Sequence, residues 1–250
     1  MEMCRPPISE DNMETWSPSK DLGPIWILGN GPSLAKTPLD ELIGQPSFAM
    51  NRIHLLYPKV EWRPTYYLCI DDVGHSDVYS DLKYHADLGY PCFFKASYAN
   101  ELEMRRIKRW PTNITYLSNC RLHLHDLENT PEIPQSWHLP QLCGFGTGLS
   151  VMLQIAVMMG YDPLILLGCD LGFVDQESPD HPDPNHFTPN YGTTCDWPLS
   201  TRDATLIHAH KVAQHSCDQY GVTILNASLG GILEVHQRID FQEALKCTKQ

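Results

Sequence analysis

The stretch PIWILGNGPS, residues 24–33, decides the fold class. Its apolar part, residues 25–28, has the length of a short buried strand and stops at a glycine-rich turn. Pro32 and Ser33 then suit the opening of a helix, because proline is well placed in the first helical turn. A strand that passes through a glycine turn into a helix is a building unit of α/β domains.

The same alternation continues along the chain. We predict further strands over residues 47–50, 65–70, 92–95, 114–117, 163–167 and 222–225, and helices over residues 38–43, 100–110, 149–159 and 201–220. The strand runs do not alternate between apolar and polar residues, which is typical of strands covered on both faces. The pattern therefore predicts an α/β fold with a mainly parallel sheet flanked by helices.

A single domain is expected to follow a short arm. Residues 1–23 carry charges and prolines without an apolar period, so we expect a loose arm, and we expect residues 24–250 to form one domain. Within that domain a long polar loop, residues 171–200, follows the strand that ends at Asp170. A loop of about 30 residues is unusual in a compact domain and is often functional.

Charge and cysteine content exclude several classes of protein. The chain has 30 acidic against 18 basic residues, a formal net charge of −12, whereas a nucleic-acid-binding protein normally presents a basic face. No apolar run approaches the roughly 18 residues that suggest a membrane span, and the N-terminus lacks the pattern of a secretory signal. The nine cysteines include no C-x-x-C pair, and Cys69 and Cys169 lie in apolar runs, so we expect buried thiols. These features predict a soluble, cytoplasmic protein.

Polar residues follow four predicted strands, at the edge where an open parallel sheet binds ligands. They are Gly29, Asn30, Gly31, Pro32 and Ser33 after the first strand, then Asn51 with Arg52, Asp71 with Asp72, and Asp170. Glycine lets the backbone come close to a ligand, and the free amides of a helix start favour an anion. With these amides, Asn51 and Arg52 are the candidates for holding a nucleotide phosphate. The carboxylates could hold a ribose hydroxyl or Mg²⁺. A tight turn without a ligand and solvated loop carboxylates are the alternatives.

The start of the helix at residues 149–159 is a second candidate site. Thr147, Gly148 and Ser150 could form a cradle for a phosphate or a sugar, and an ordinary helix cap is the alternative.

Two histidines, His181 and His186, lie in the long loop after Asp170. A loop histidine near an active site can act as a general base at neutral pH, and Tyr191 nearby could donate to a phosphate oxygen. An exposed loop histidine without a role is the alternative. The histidines form no set with metal-ligand spacing, so no metal site is predicted, and we expect His208 and His210 at the surface of a helix.

Several strings together resemble a known superfamily. They are ILGNGPSL at 27–34, MNR at 50–52, TGLSVMLQIAVMMGYDPLILLGCDLGF at 147–173, NHFTPNY at 185–191 and NASLGGILEVHQRIDF at 226–241. They resemble the domain shared by archaeal-type 6-hydroxymethylpterin diphosphokinases, motility accessory factors of flagellar glycosylation, and bacterial sialyltransferases that use a CMP-activated sugar. The last two strings resemble uncharacterised bacterial members. The resemblance spans about residues 24–245 and implies a Rossmann-like fold that transfers part of an activated nucleotide.

The resemblance also implies roles for particular residues. The implied nucleotide contacts are Asn30, Gly31, Ser33 and Asn51, with Thr147, Gly148 and Leu149 over the same ligand. The implied catalytic base is a histidine in the loop after Asp170, either His186 or His181. Leu171 and Phe173 stand where aromatic hydroxyl groups are expected, which leaves Tyr191 as the substitute.

We therefore predict a nucleotide-dependent transferase, most simply a glycosyltransferase that moves a sugar from a CMP-type donor to a hydroxyl of a small-molecule or glycan acceptor. The first alternative is pyrophosphate transfer from ATP to a pterin-like alcohol, which would require Mg²⁺ held by Asp71 and Asp170. The second is a non-catalytic nucleotide- or sugar-binding component of a glycosylation system. No other cofactor is implied, and the oligomeric state, a homo-oligomer included, is left open.

Overall fold

The computed structural model describes residues 20–70, 78–96, 98, 113–117, 137, 139, 142, 147–174, 183–192 and 199–248. Several of the predictions above fall on other residues and lie outside this part of the chain. They concern Asp71, Asp72, His181, the helix at 100–110 and residues 1–19 of the expected arm.

Over the described residues, the core of the fold is one sheet of eight parallel strands. The strands are β1 (Gly23–Leu28), β2 (Ser47–Met50), β3 (Tyr66–Cys69), β4 (Cys92–Lys95), β5 (Ile114–Leu117), β6 (Tyr161–Leu167), β7 (Ile224–Asn226) and β8 (Gln237–Arg238). Their order is β5-β4-β3-β2-β1-β6-β7-β8, and every neighbouring pair is parallel. The predicted α/β class with a parallel sheet is confirmed. The bounds of three predicted strands, β2, β4 and β5, agree residue for residue.

In the described part of the chain, four α-helices and three short 3₁₀ helices accompany the sheet. The α-helices are α1 (Val78–Asp87), α2 (Gly148–Met159), α3 (Leu199–Tyr220) and α4 (Phe241–Thr248). The 3₁₀ helices are Pro32–Lys36, Leu39–Leu42 and Asn51–Leu56. The helix predicted over residues 38–43 is therefore wrong in type and length. Both ends of the predicted segment leave helical geometry, with ψ of 73° at Pro38 and 125° at Ile43, so only one short turn at Leu39–Leu42 remains.

Helix α2 is buried on all sides because its sequence is apolar around its whole circumference. The hydroxyl of Thr147 accepts the amide N–H of Leu149 at 3.2 Å and caps the start of the helix. Gly160 ends it in the left-handed region, with φ of 98°. Strand β6 begins at the next residue, so α2 runs back along the sheet. The start of α2 therefore lies at the edge where the parallel strands end.

Both faces of the sheet are covered, as the continuous apolar runs predicted. Ile25 and Ile27 of β1 join a core with α2 and α3, whereas Trp26 and Leu28 face a second core with the 3₁₀ helices and α4. This alternation places successive strand residues in opposite cores. Among the described residues, no helix has the length and apolar character that crossing a membrane requires.

The chain order reverses beside β1, and this reversal positions the candidate site. From β1 the chain builds β2, β3, β4 and β5 on one side, and then returns to place β6 on the other. Ligands of open parallel sheets bind beyond the strand ends at such a reversal, because the connections on either side diverge and leave a crevice. The relevant ends are Leu28 of β1 and Leu167 of β6.

One prediction about α3 is wrong. His208 is exposed as expected, but His210 is buried and its Nδ1 lies 2.9 Å from Nε2 of His236. His236 in turn places Nδ1 at 2.7 Å from the side-chain oxygen of Gln214, which can only accept. The two rings therefore form a directed chain of neutral imidazoles. Burial lowers the pKa of His210 to about 3 and that of His236 to about 4.

We expect acid to destabilise the fold through these histidines. An unfolded histidine binds a proton below about pH 6.5, whereas His210 and His236 stay neutral in the folded protein until the pH falls to about 4. These two histidines therefore do not lower the free energy of unfolding above pH 7. By pH 5 each should lower it by about 2 kcal/mol, because the unfolded chain binds a proton that the folded protein does not. Urea unfolding of the wild type and of His210→Gln between pH 7 and pH 5 measures this. The variant should lose stability less steeply than the wild type, whereas the exposed control His208→Gln should match the wild type. Equal slopes for His210→Gln and the wild type would contradict the assignment.

Candidate functional site

The first glycine turn packs directly against the end of β6. The amide of Gly29 donates to the carbonyl of Leu167 at 2.8 Å, and the amide of Gly31 donates to the carbonyl of Gly168 at 2.9 Å. A Cβ atom at Gly29 would lie 2.5 Å from the carbonyl oxygen of Gly168, so no larger residue fits without movement. The close approach of two backbones thus requires glycine here.

Asp170 joins the two strand ends through Ser33. Its Oδ2 accepts the backbone N–H of Ser33 at 2.7 Å, and its Oδ1 accepts the Ser33 hydroxyl. Asp170 is only 7% exposed, and a Cβ on Gly31 would lie 2.5 Å from its Oδ2. The amides of this turn were expected to attract a ligand anion, but the amide of Ser33 already binds a carboxylate of the chain itself. The alternative of a solvated loop carboxylate therefore does not hold for Asp170.

A second loop, residues 228–232, supports Asp170 from behind. The amide of Ile232 donates to the carbonyl of Asp170 at 2.8 Å, and Gly231 lies against the Asp170 backbone so closely that a Cβ would clash. The Arg238 guanidinium donates to the carbonyls of Ser228 and Gly230 at 3.1 and 2.7 Å and so fixes this loop. Nothing in the sequence pattern pointed to Arg238.

Two asparagines lie where β1 and β2 end. The side-chain amide of Asn30 donates to the carbonyl of Met50 at 3.3 Å, which fixes its orientation. Its oxygen Oδ1 is buried, and no partner for it is present in the part of the chain that the structure describes. Asn51 follows β2 with a positive φ of 52°, and the Tyr67 hydroxyl donates to its carbonyl at 2.8 Å. Asparagine tolerates this left-handed conformation better than most residues.

The described part of the long loop, residues 183–192, folds across these strand ends. The amide of Phe187 donates to the carbonyl of Asn30 at 3.1 Å, which ties the loop to the first glycine turn. Arg52 approaches the other end of the loop, because its Nη1 donates to the carbonyl of Tyr191 and its amide lies 3.4 Å from the Tyr191 hydroxyl. The tertiary fold thus brings His186 to the turn that the sequence singled out.

His186 forms a dyad with Asp183, which the sequence analysis missed. The Nδ1 atom lies 2.8 Å from both carboxylate oxygens of Asp183, and the imidazole stacks on the Tyr191 ring at 3.9 Å with an angle of 1°. A carboxylate only accepts, so Nδ1 carries the proton and Nε2 carries the lone pair of the neutral ring. This is the arrangement that a general base needs. The sequence did contain a signal for this dyad, because Asp183 lies three residues before His186 in the same loop.

Tyr191 makes a different contact from the one predicted. Its side chain is 2% exposed, its ring lies under the imidazole of His186, and Phe187 packs perpendicular to it at 5.4 Å. A role for its hydroxyl toward a phosphate stays a prediction.

The start of α2 carries an ordinary helix cap, which was the alternative to a ligand cradle. Binding of a phosphate or sugar there stays a prediction. Besides the Thr147 hydroxyl cap, the amide of Ser150 donates to the Thr147 carbonyl at 3.1 Å. A shallow depression beside it is lined by Thr147, Leu149, Ser150, Leu153, Ala209, His210 and Ala213. Among the residues with a described position, no three His, Cys, Asp or Glu side chains cluster in a way that could hold a metal ion.

Comparison with known proteins identifies the fold. No protein-family model and no curated protein matches the chain. The structure is similar to the monofunctional alpha-2,3-sialyltransferase Cst-I from Campylobacter jejuni, with a TM-score of 0.51, 16% identity and coverage of 89% of this chain and 82% of that one. It is also similar to the MAf glycosyltransferase from Magnetospirillum magneticum AMB-1, with a TM-score of 0.50, 14% identity and coverage of 88% of this chain and 34% of that one. The resemblance to bacterial sialyltransferases is confirmed at the level of the fold.

We expect Asp170 and Ser33 to be energetically coupled. Asp170→Asn and Ser33→Ala should each lower the free energy of unfolding by about 2 kcal/mol, because each breaks buried charge-assisted hydrogen bonds. The double variant should lose clearly less than the sum of the two, which urea unfolding of the four proteins measures as a double-mutant cycle. Strict additivity would show that the carboxylate does not depend on Ser33.

Proposed function

We propose that this protein is a glycosyltransferase that moves a sugar from a nucleotide-activated, CMP-type donor to a hydroxyl of a small-molecule or glycan acceptor. The Asp183–His186 dyad beside the first glycine turn is the observation that carries this proposal. The similarity of fold to a sialyltransferase and to a glycosyltransferase supports it.

In the proposed reaction, His186 removes a proton from the acceptor. Its Nε2 takes the hydroxyl proton while the acceptor oxygen forms a bond to the anomeric carbon of the donor sugar. The bond from that carbon to the nucleotide phosphate breaks, and the nucleotide leaves with the electron pair as a phosphate anion. Asp183 holds Nδ1 protonated and stabilises the imidazolium that forms.

Asn30 is proposed to face a hydroxyl or amino group of the donor. Its Oδ1 is a buried acceptor, and leaving a buried acceptor unpaired costs free energy. A deprotonated phosphate offers only acceptors, so a ribose, sugar or base donor is the complementary group. Asn51 lies at the neighbouring strand end and is proposed as a second nucleotide contact.

The phosphate is proposed to lie at the start of α2, at Thr147, Gly148 and Leu149. The amides of Gly29, Gly31 and Ser33 in the first turn are already bound to β6 or Asp170. The amide of Leu149 is capped by the Thr147 hydroxyl, so the start of α2 would attract a phosphate mainly through the positive end of the dipole of this twelve-residue helix, at the same edge of the sheet. Asp170 is proposed to shape the turn and hold no metal.

A thermal-shift panel tests the donor class. We expect CMP without metal to stabilise the protein, because the proposed site needs no Mg²⁺. A ligand at 100 times its dissociation constant adds about 2.7 kcal/mol, and UDP, GDP, ADP and ATP with and without Mg²⁺ are the comparisons. Stabilisation by ATP only with Mg²⁺ would favour pyrophosphate transfer instead. Tight CMP binding without turnover on any activated sugar would favour a non-catalytic binding component.

The dyad is tested by His186→Ala and Asp183→Asn. We expect kcat to fall by about 10²–10⁴-fold in the first variant and by at least about tenfold in the second, because proton transfer is lost or misaligned. The dissociation constant of CMP should not change, since neither side chain is proposed to bind the nucleotide. His208→Ala, an exposed histidine of α3, is the matched control and should keep full turnover. Unchanged turnover in His186→Ala would remove its role as base.

A further inference from the structure

The side chain of Arg52 connects helix α1 to the His186 loop. The Arg52 Nε lies 3.4 Å from Oδ2 of Asp81 on α1, and both side chains are largely buried, at 18% and 13% exposed. The other carboxylate oxygen of Asp81 lies 3.3 Å from Nε2 of His54. Arg52 Nε and Asp81 Oδ2 form no hydrogen bond at this distance, so Asp81 balances the charge of the guanidinium from one side as an ion pair.

On its other side Arg52 holds the C-terminal end of the loop. Its Nη1 donates to the carbonyl of Tyr191, and a Cβ at Gly192 would lie only 3.1 Å from that nitrogen. Gly192 also has a positive φ of 69°, so a glycine there admits both the close approach and the backbone conformation. The planar guanidinium thus joins a carboxylate of α1 to the loop backbone.

This connection ends at the imidazole of His186. Tyr191, whose carbonyl Arg52 holds, presents its ring as the surface on which His186 stacks at 3.9 Å. A displacement of the Tyr191 backbone would therefore move the plane of the imidazole. The residue before Arg52 is fixed as well, because the Tyr67 hydroxyl donates to the Asn51 carbonyl at 2.8 Å.

We propose that Arg52 and Asp81 are positioning residues: the Arg52–Asp81 pair holds loop 183–192 in the arrangement that aims His186 at the acceptor. The inference rests on the proposed function for the role of His186, whereas the fixing of the loop does not depend on it. It also replaces the expectation that Arg52 binds the nucleotide phosphate. A phosphate at Arg52 would have to share a guanidinium whose Nε faces the Asp81 carboxylate and whose Nη1 donates to the Tyr191 carbonyl.

The first test measures the loop without requiring any reaction. In Asp81→Asn, hydrogen–deuterium exchange at the amides of Phe187 and Tyr191, both hydrogen-bonded in the structure, should accelerate about tenfold or more. Exchange in β6 should stay unchanged and reports on global stability. Asp87→Asn is the matched control, since Asp87 lies on the same helix in an exposed ion pair with Lys83. Unchanged loop exchange, or equal acceleration in the loop and in β6, would overturn the proposal.

The second test separates positioning from phosphate binding. Arg52→Lys keeps the charge but loses the planar fork that reaches both partners. Positioning predicts a fall in kcat of about tenfold or more, with the KM for the donor and the dissociation constant of CMP within about twofold of the wild type. A phosphate ligand predicts the reverse, a weaker CMP affinity with unchanged loop exchange, and that result would overturn the inference. If no activated sugar is turned over, the proposed function fails, and the exchange measurement still decides the role of the Arg52–Asp81 pair.

Discussion

The hydrogen bonds between Ser33 and Asp170 hold together the two strand ends on which the rest of the site depends. They cross from the turn after β1 to the turn after β6, which are 137 residues apart in the chain. Because the two turns lie so close together, only glycine fits at positions 29 and 31. A Cβ atom at Gly29 would clash with the backbone that follows β6, and one at Gly31 would clash with the Asp170 carboxylate. The loop at residues 228–232 depends on the same contact, since it packs on the backbone of Asp170. The buried Ser33–Asp170 hydrogen bonds thus determine how closely the turn after β1 approaches the turn after β6.

This arrangement limits how an acidic protein could bind an anionic nucleotide. The chain carries a formal net charge of −12, and the amides of Gly29, Gly31 and Ser33 are bonded internally. Arg52, the basic residue expected nearest the ligand, is paired with Asp81. What remains for the proposed nucleotide is the dipole at the start of α2 together with the buried acceptor of Asn30. Such a site would rely on oriented backbone groups and hydrogen bonds more than on net charge.

The loop that carries His186 depends on contacts with two turns and with one of the apolar cores. Its backbone is bonded to the turn after β1 through Phe187 and to the start of the 3₁₀ helix after β2 through Tyr191. The buried rings of Phe187 and Tyr191 belong to the same core as Trp26 and Leu28. A loop anchored by two buried aromatic rings next to the histidine can hold an imidazole in a fixed plane, which a freely solvated loop cannot do.

Apolar runs and glycine turns are local signals, so the amino-acid sequence was enough to predict the parallel α/β sheet and the strand-end positions of Gly29, Asn30 and Asn51. It also placed His186 in a loop next to the candidate site. Only the tertiary structure decided which polar groups meet. Four contacts become visible only in the packed structure: Asp170 with Ser33, Asp183 with His186, Arg52 with Asp81, and the buried His210 with His236. Three of these contacts join residues that are at least 26 positions apart in the chain. The fourth joins Asp183 to His186, which are close in sequence, but the orientation of its imidazole also depends on the stacked ring of Tyr191. Local composition fixes the tendency of each segment, whereas the pairing of buried polar groups is fixed only once the segments are packed.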